Sequence, residues 1–161
     1  MVNIESRLVK TFLWFTLLAY LLVLIKLIIF KWPLPYVKEH FLQHYNWQLA
    51  KTKLRDLNLV PFHTIYVFLS PNEEDIHRTS NLLGNIAGFI PLGFLLPVLI
   101  KKLRTARATI FRVFLISLCF EVTQLLILLG YFDVDDLMLN TAGGALGYII
   151  FSLLRKKLVR E

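Results

Sequence analysis

The chain has 161 residues, 57% of them hydrophobic, a formal charge of +7 and one cysteine. Its apolar residues run in long blocks instead of alternating with polar ones, which excludes an ordinary soluble core, and the lone Cys119 excludes a disulfide framework or a cysteine metal site. The basic residues gather at the ends of the apolar blocks, which points to membrane orientation and anionic lipid and away from nucleic acid as a partner.

A helix needs about 20 predominantly apolar residues to cross a hydrocarbon core of roughly 30 Å. Four segments qualify, at about 11–30, 82–100, 109–129 and 137–154, which predicts an all-α membrane protein with four transmembrane helices in one domain spanning residues 1–161. The first segment is too long for the apolar part of a signal peptide, and "IIFKWPLPYV" after it offers no small-residue cleavage site, so it is expected to remain as a helix. Lys26 is placed to extend its stem to the interface, Trp32 and Tyr131 suit an outer aromatic belt, and Trp14 an inner one.

Residues 31–81 form the one long connection. Val37, Phe41, Tyr45 and Leu49 recur every four residues, which predicts an amphipathic helix lying on the membrane surface. His40 and His44 stand one turn apart, but the zinc-protease pattern needs Glu where Phe41 stands, so both are expected to be solvated. "LNLVPFHTIYVF" then returns toward the bilayer with Pro61 as a turn, and Ser80 or Asn81 is the expected cap of the second span.

Charge sets the orientation. "KKLRTARATIFR" between the second and third spans holds five bases and no acid, the C-terminal "RKKLVRE" four bases and one acid, and the 31–80 connection six bases and five acids. By the positive-inside rule both termini and the 101–112 loop are cytoplasmic, while the 31–81 connection and the turn carrying Asp133, Asp135 and Asp136 face outward.

Polar groups enter the apolar spans at particular depths. Ser117, Glu121 and Gln124 share one face of the third span. Glu121 falls about 12 Å below the outer end near Leu129, close to the midplane, where an ionised carboxylate costs roughly 2.5 kcal/mol or more. It should therefore face protein or water, and burial favours its neutral form. In the second span Pro91 leaves the Ala87 carbonyl without its helical donor, a vacancy that a protonated Glu121 would fill. Gly84 with Gly88 and Gly143 with Gly147 form small-residue pairs that allow close helix approach. Asp135 or Asp136 is the expected cap of the fourth span, and Asp136, Asn140 and Gly144 share its face.

If these faces converge, Asp136, Asn85 and Asn140 line the rim, Gln124 the middle and Glu121 the floor of an outward-open pocket; the alternative is that the same groups only fasten helices together. "DVDDLMLN" lacks the glycine and spacing of a calcium loop, leaving Asp133 and Asp136 as weak candidates for a divalent ion. No cofactor is expected. Ser117 has no histidine or lysine partner for nucleophilic work.

Four fragments in order, "NLVPF", "NIAGFIPLGFLLP", "SLCFEVTQ" and "FDVDDLMLNTAGGALGY", resemble the VanZ-like family of small bacterial membrane proteins, over about residues 57–148. Carried across, the family pattern singles out Pro61, Phe62, Asn85, Pro91, Gly93, Ser117, Glu121, Gln124, Asp133, Asp136, Asn140, Gly143 and Gly147. Many relatives carry an arginine in the turn where this chain has Tyr131, which leaves the aspartates without an obvious local cation. The resemblance implies a multi-pass protein of the bacterial cell membrane. The family's namesake is associated with low-level resistance to the lipid-tailed glycopeptide teicoplanin, but no reaction comes with the family name.

The expected function is binding of an amphiphilic or lipid-linked envelope component, or of the glycopeptide itself, in a pocket made by Asn85, Ser117, Glu121, Gln124, Asp133, Asp136 and Asn140. Two rivals stand beside it. One is an intramembrane enzyme acting on a lipid or glycolipid, with Glu121 as acid or base and Asp133 or Asp136 as a second carboxylate. The other is a purely structural polar cluster.

Overall fold

The computed structural model describes residues 6–29, 32–69 and 76–158, which form seven α-helices. In chain order these are α1 (Arg7–Ile28), α2 (Leu34–Glu39), α3 (Trp47–Arg55), α4 (His63–Leu69), α5 (Ile76–Leu99), α6 (Ala106–Leu126) and α7 (Val134–Leu158). Four are long and apolar enough to cross a membrane: α1, the Leu82–Leu99 part of α5, α6, and the Val134–Arg155 part of α7. The all-α, four-span architecture is therefore the one the apolar blocks predict, and no β-strand forms among the described residues.

The ends of the spans differ from the sequence reading for local reasons. α1 starts earlier because the Ser6 hydroxyl accepts from the Val9 amide at 3.3 Å. α5 starts at Ile76, so Ser80 and Asn81 lie inside the helix instead of capping it. α6 stops at Leu126, three residues short of the expected end, because Leu128 takes a left-handed φ of 58° and turns the chain. At its start, the Thr105 hydroxyl accepts from the Ala108 amide at 3.3 Å.

Helices α5 and α7 are in backbone contact. A Cβ on Gly143 would overlap the Ile86 carbonyl, one on Gly147 the Ile90 carbonyl, and one on Gly93 the Gly144 backbone. Without a hydrophobic drive between helices in lipid, such close approach supplies much of the attraction. The Gly84 and Gly88 pair does not share this role. Gly84 has open space around it, and a Cβ on Gly88 would only touch Leu24 of α1 at 3.5 Å. Phe89 and Phe120 meet edge to face at 6.1 Å between α5 and α6, within a core that includes Leu17 and Leu24 of α1 and Val113 of α6.

The surface helix predicted across 37–49 is interrupted. α2 continues through one π turn, His40–His44, and the chain then breaks at Tyr45. Asn46 starts α3 afresh, its side chain accepting from the Leu49 amide at 2.9 Å. A four-residue apolar repeat runs through this break because it records which side faces the membrane, while a capping asparagine ends one helix and begins the next.

Replacing Gly147 by Leu should force α7 away from Ile90 and Phe94 and lower the folded yield in detergent several-fold. The same change at Gly84, where nothing obstructs a side chain, should leave yield near that of the wild type. Fluorescence-detected size exclusion at matched expression measures both.

Candidate functional site

The site is built around the end of α6. The carbonyls of Leu126, and of Ile127 and Leu129 just beyond the helix, are met by side chains from the 32–45 segment. The Tyr45 hydroxyl donates to the Leu126 carbonyl at 3.0 Å, His40 Nε2 meets the Ile127 carbonyl at 3.0 Å, and the Trp32 indole donates to the Leu129 carbonyl at 3.1 Å. Since a carbonyl only accepts, the His40 bond places a proton on Nε2. His40 is thus 4% exposed and engaged, contrary to the expected solvated histidine. Gln124 performs the same service for α1, donating to the Ile28 carbonyl at 2.9 Å.

Each aspartate of "DVDD" has its own work. Asp133, not Asp135 or Asp136, starts α7: its Oδ1 accepts from the Asp135 amide at 2.8 Å. The same carboxylate takes the Asn58 amide group at 2.8 Å and the Thr64 hydroxyl at 2.7 Å, beside a lone parallel bridge between Asn58 and Asp133. Asp135 is fully buried and caps a different helix. Its oxygens accept from the amides of Phe62 at 2.5 Å, Thr64 at 2.7 Å and Ile65 at 3.1 Å, at the N-terminus of α4. Free N–H groups and the positive end of the helix dipole make that position favourable for an anion. Asp136 accepts from the Asn85 side chain at 2.5 Å and so joins α7 to α5.

The remaining candidates lie between α6 and α7. The Asn140 amide group donates to the Ser117 hydroxyl at 2.9 Å, with both residues buried. The Asn140 amide oxygen has no hydrogen-bond partner among the described residues. Glu121, 1% exposed, accepts from the Asp133 backbone N–H at 3.1 Å. Because α6 ends at Leu126, Glu121 lies about 7.5 Å from the helix end instead of the expected 12 Å.

All seven candidate residues, Asn85, Ser117, Glu121, Gln124, Asp133, Asp136 and Asn140, hydrogen-bond to groups on other elements or across the α6–α7 turn. No group of three or more His, Cys, Asp or Glu among the described residues has the arrangement to hold a metal ion. An open cavity of about 510 Å³ lies immediately beside this end, between α3 and the end of α6, with walls from Trp47, Ala50, Leu54, Leu125, Leu126 and Leu128.

Asp135, Asn58 and Thr64 were not legible as a unit. Asn58 and Thr64 are polar residues flanking "LVPF", the only hint that this stretch is tied down, and nothing local signals that the anion at the start of α4 comes from some 70 residues further along the chain. Phe62 has a left-handed φ of 67°, and its amide is one of the three held by Asp135. That backbone conformation is uncommon for a bulky residue and is sustained by bonds the sequence does not display.

A family model described as VanZ/LLP1 matches residues 17–155. A curated relative, Protein VanZ of Enterococcus faecium, is 31% identical over 140 residues, covering 87% of this chain and 73% of the relative. No solved structure matches.

Asp135→Ala should lower thermal stability in detergent by about 3 kcal/mol, since it strands three backbone donors and a buried helix start. Asp135→Asn, which keeps one acceptor oxygen, should fall between. Equal stability of Asp135→Ala and the wild type would show that α4 is held by other means.

Proposed function

The chain belongs to the VanZ-like family, and from that premise we propose that it is a cell-envelope membrane protein that holds an amphiphilic or lipid-linked ligand at the outer end of its bundle without converting it. The observation that carries this reading is the apolar cavity between α3 and α6, placed against the end of α6 that the Tyr45 hydroxyl meets. In this reading the cavity receives the ligand's chain, and Asn85, Ser117, Glu121, Gln124, Asp133, Asp136 and Asn140, hydrogen-bonded between elements and not lining that cavity, keep the helices around it in place. The Asn140 amide oxygen is buried without a hydrogen-bond partner among the described residues. Through the family resemblance, the expected consequence is altered susceptibility to teicoplanin.

The enzymatic rival finds less support. A carboxylate that transfers protons must reach its substrate, yet both oxygens of Asp133 accept hydrogen bonds and Glu121 is 1% exposed. The orientation proposed with this reading puts both termini and the 101–112 loop in the cytoplasm, in line with their excess of basic residues.

In a Cys119→Ala background, a cysteine at Gln48 should react with a membrane-impermeant maleimide in intact cells, and one at Arg107 only after lysis. The reverse pattern would invert the topology. Glu121→Gln retains an acceptor for the Asp133 amide and should keep stability and glycopeptide susceptibility at wild-type values. Glu121→Ala should lose about 1–3 kcal/mol of stability. If Glu121→Gln folds normally but abolishes the susceptibility effect, Glu121 carries a proton or a ligand charge, and its role as a mere hydrogen-bonding strut fails.

A further inference from the structure

The walls of the cavity and the charges at its edge belong to the same short helix. In α3, Trp47, Ala50 and Leu54 stand at spacings of three and four residues on the cavity side, facing Leu125 and Leu126 of α6. The same nine residues contain Lys51, Lys53 and Arg55 and no acid. At 100° per residue, Lys51 and Arg55 fall on one flank of the cavity face and Lys53 on the other. Aromatic rings keep two of these cations close: Lys51 Nζ lies 5.6 Å from the Trp47 ring centre, and Lys53 Nζ lies 3.4 Å from that of Tyr131. An open apolar trough with cations on both shoulders matches a single amphiphile that carries an anionic head.

We infer that this trough is a binding site for an anionic phospholipid of the surrounding leaflet, with an acyl chain along Trp47, Ala50, Leu54 and Leu126 and the headgroup phosphate between Lys51 and Lys53. The inference rests on the reading of this end as an amphiphile site and assigns the head chemistry that reading leaves open. It does not depend on orientation, because the site takes its lipid from whichever leaflet α3 lies on. A basic residue near an anionic membrane surface contributes about a fivefold gain in binding, so three cations predict a preference for phosphatidylglycerol over phosphatidylcholine of the order of a hundredfold at low salt, shrinking as salt rises.

The test uses the full chain in nanodiscs that contain either brominated phosphatidylglycerol or brominated phosphatidylcholine at the same mole fraction. The Trp47 contribution to quenching is taken against Trp47→Phe. Phosphatidylglycerol should quench Trp47 well beyond phosphatidylcholine, and the Lys51→Gln, Lys53→Gln, Arg55→Gln triple variant should quench equally with both lipids. Inorganic phosphate should reduce the preference no more than sodium chloride at equal ionic strength; a greater loss would mean that free phosphate is what the cations bind and overturn the lipid site. Equal quenching of the wild type by both lipids overturns the proposal. Unchanged melting of the triple variant in phosphatidylcholine discs keeps misfolding from imitating the result. Glycopeptide susceptibility separates the two claims. A wild type with no lipid preference but an intact susceptibility effect sinks the lipid site alone. A lipid preference in the wild type together with a full susceptibility effect in Leu54→Trp, which blocks the trough, sinks the proposed function and leaves the lipid site standing.

Discussion

A membrane offers no water to a backbone carbonyl or amide, so every helix that ends near hydrocarbon must find partners within the protein. The end of the bundle that carries the 127–133 turn is organised by that requirement. α6 stops at Leu126, and the carbonyls of Leu126, Ile127 and Leu129 are met by Tyr45, His40 and Trp32. α1 stops at Ile28, and its carbonyl is met by Gln124. α4 starts with free amides, which Asp135 takes. The partners come from the 32–69 connection, from the start of α7 and, in Gln124, from α6 itself, so the connection clamps the ends of the spans and is not slack between them.

The clamp works only if the spans hold a fixed register, and glycine sets that register. With Gly143 and Gly147 against the Ile86 and Ile90 carbonyls, α7 cannot slide on α5 without a backbone clash. Asp136 consequently meets Asn85, and the turn before α7 brings the Asp133 amide to Glu121. Interior polar pairs in membranes are worth modest energy apiece, so their geometry follows from the close packing and does not create it.

How far the sequence could be read depends on the kind of interaction. Four apolar blocks of sufficient length dictated four spans, and helical spacing correctly put Ser117 with Glu121 and Asp136 with Asn140 on shared faces. What could not be read was partner choice across long separations. Asp135 looked like the cap of its own helix, yet it caps α4, because an aspartate two residues earlier, Asp133, already occupies that place. His40 looked like a surface residue, since nothing in "VKEHFLQHYNW" indicates that a helix end more than 80 residues away requires a donor. The distance from Glu121 to the end of its helix was overestimated for a similar reason: a left-handed leucine at 128 ends α6 early, and leucine carries no signal for that conformation.

The departure at Tyr131 bears on function in a different way. Where the family resemblance leads one to expect an arginine, this chain presents an aromatic ring, and Lys53 from α3 lies over it at 3.4 Å. A cation therefore does reach the aspartate-bearing turn, but from the helix that walls the cavity. An arginine in the turn would stay near the aspartates wherever α3 lay. A lysine held on a tyrosine face is positioned only while α3 is seated against α6, a seating that the Tyr45 bond to Leu126 and the Asn46 cap define. Positive charge at this site is thus coupled to the presence of an apolar wall, and a ligand with both an anionic head and a chain meets both at once.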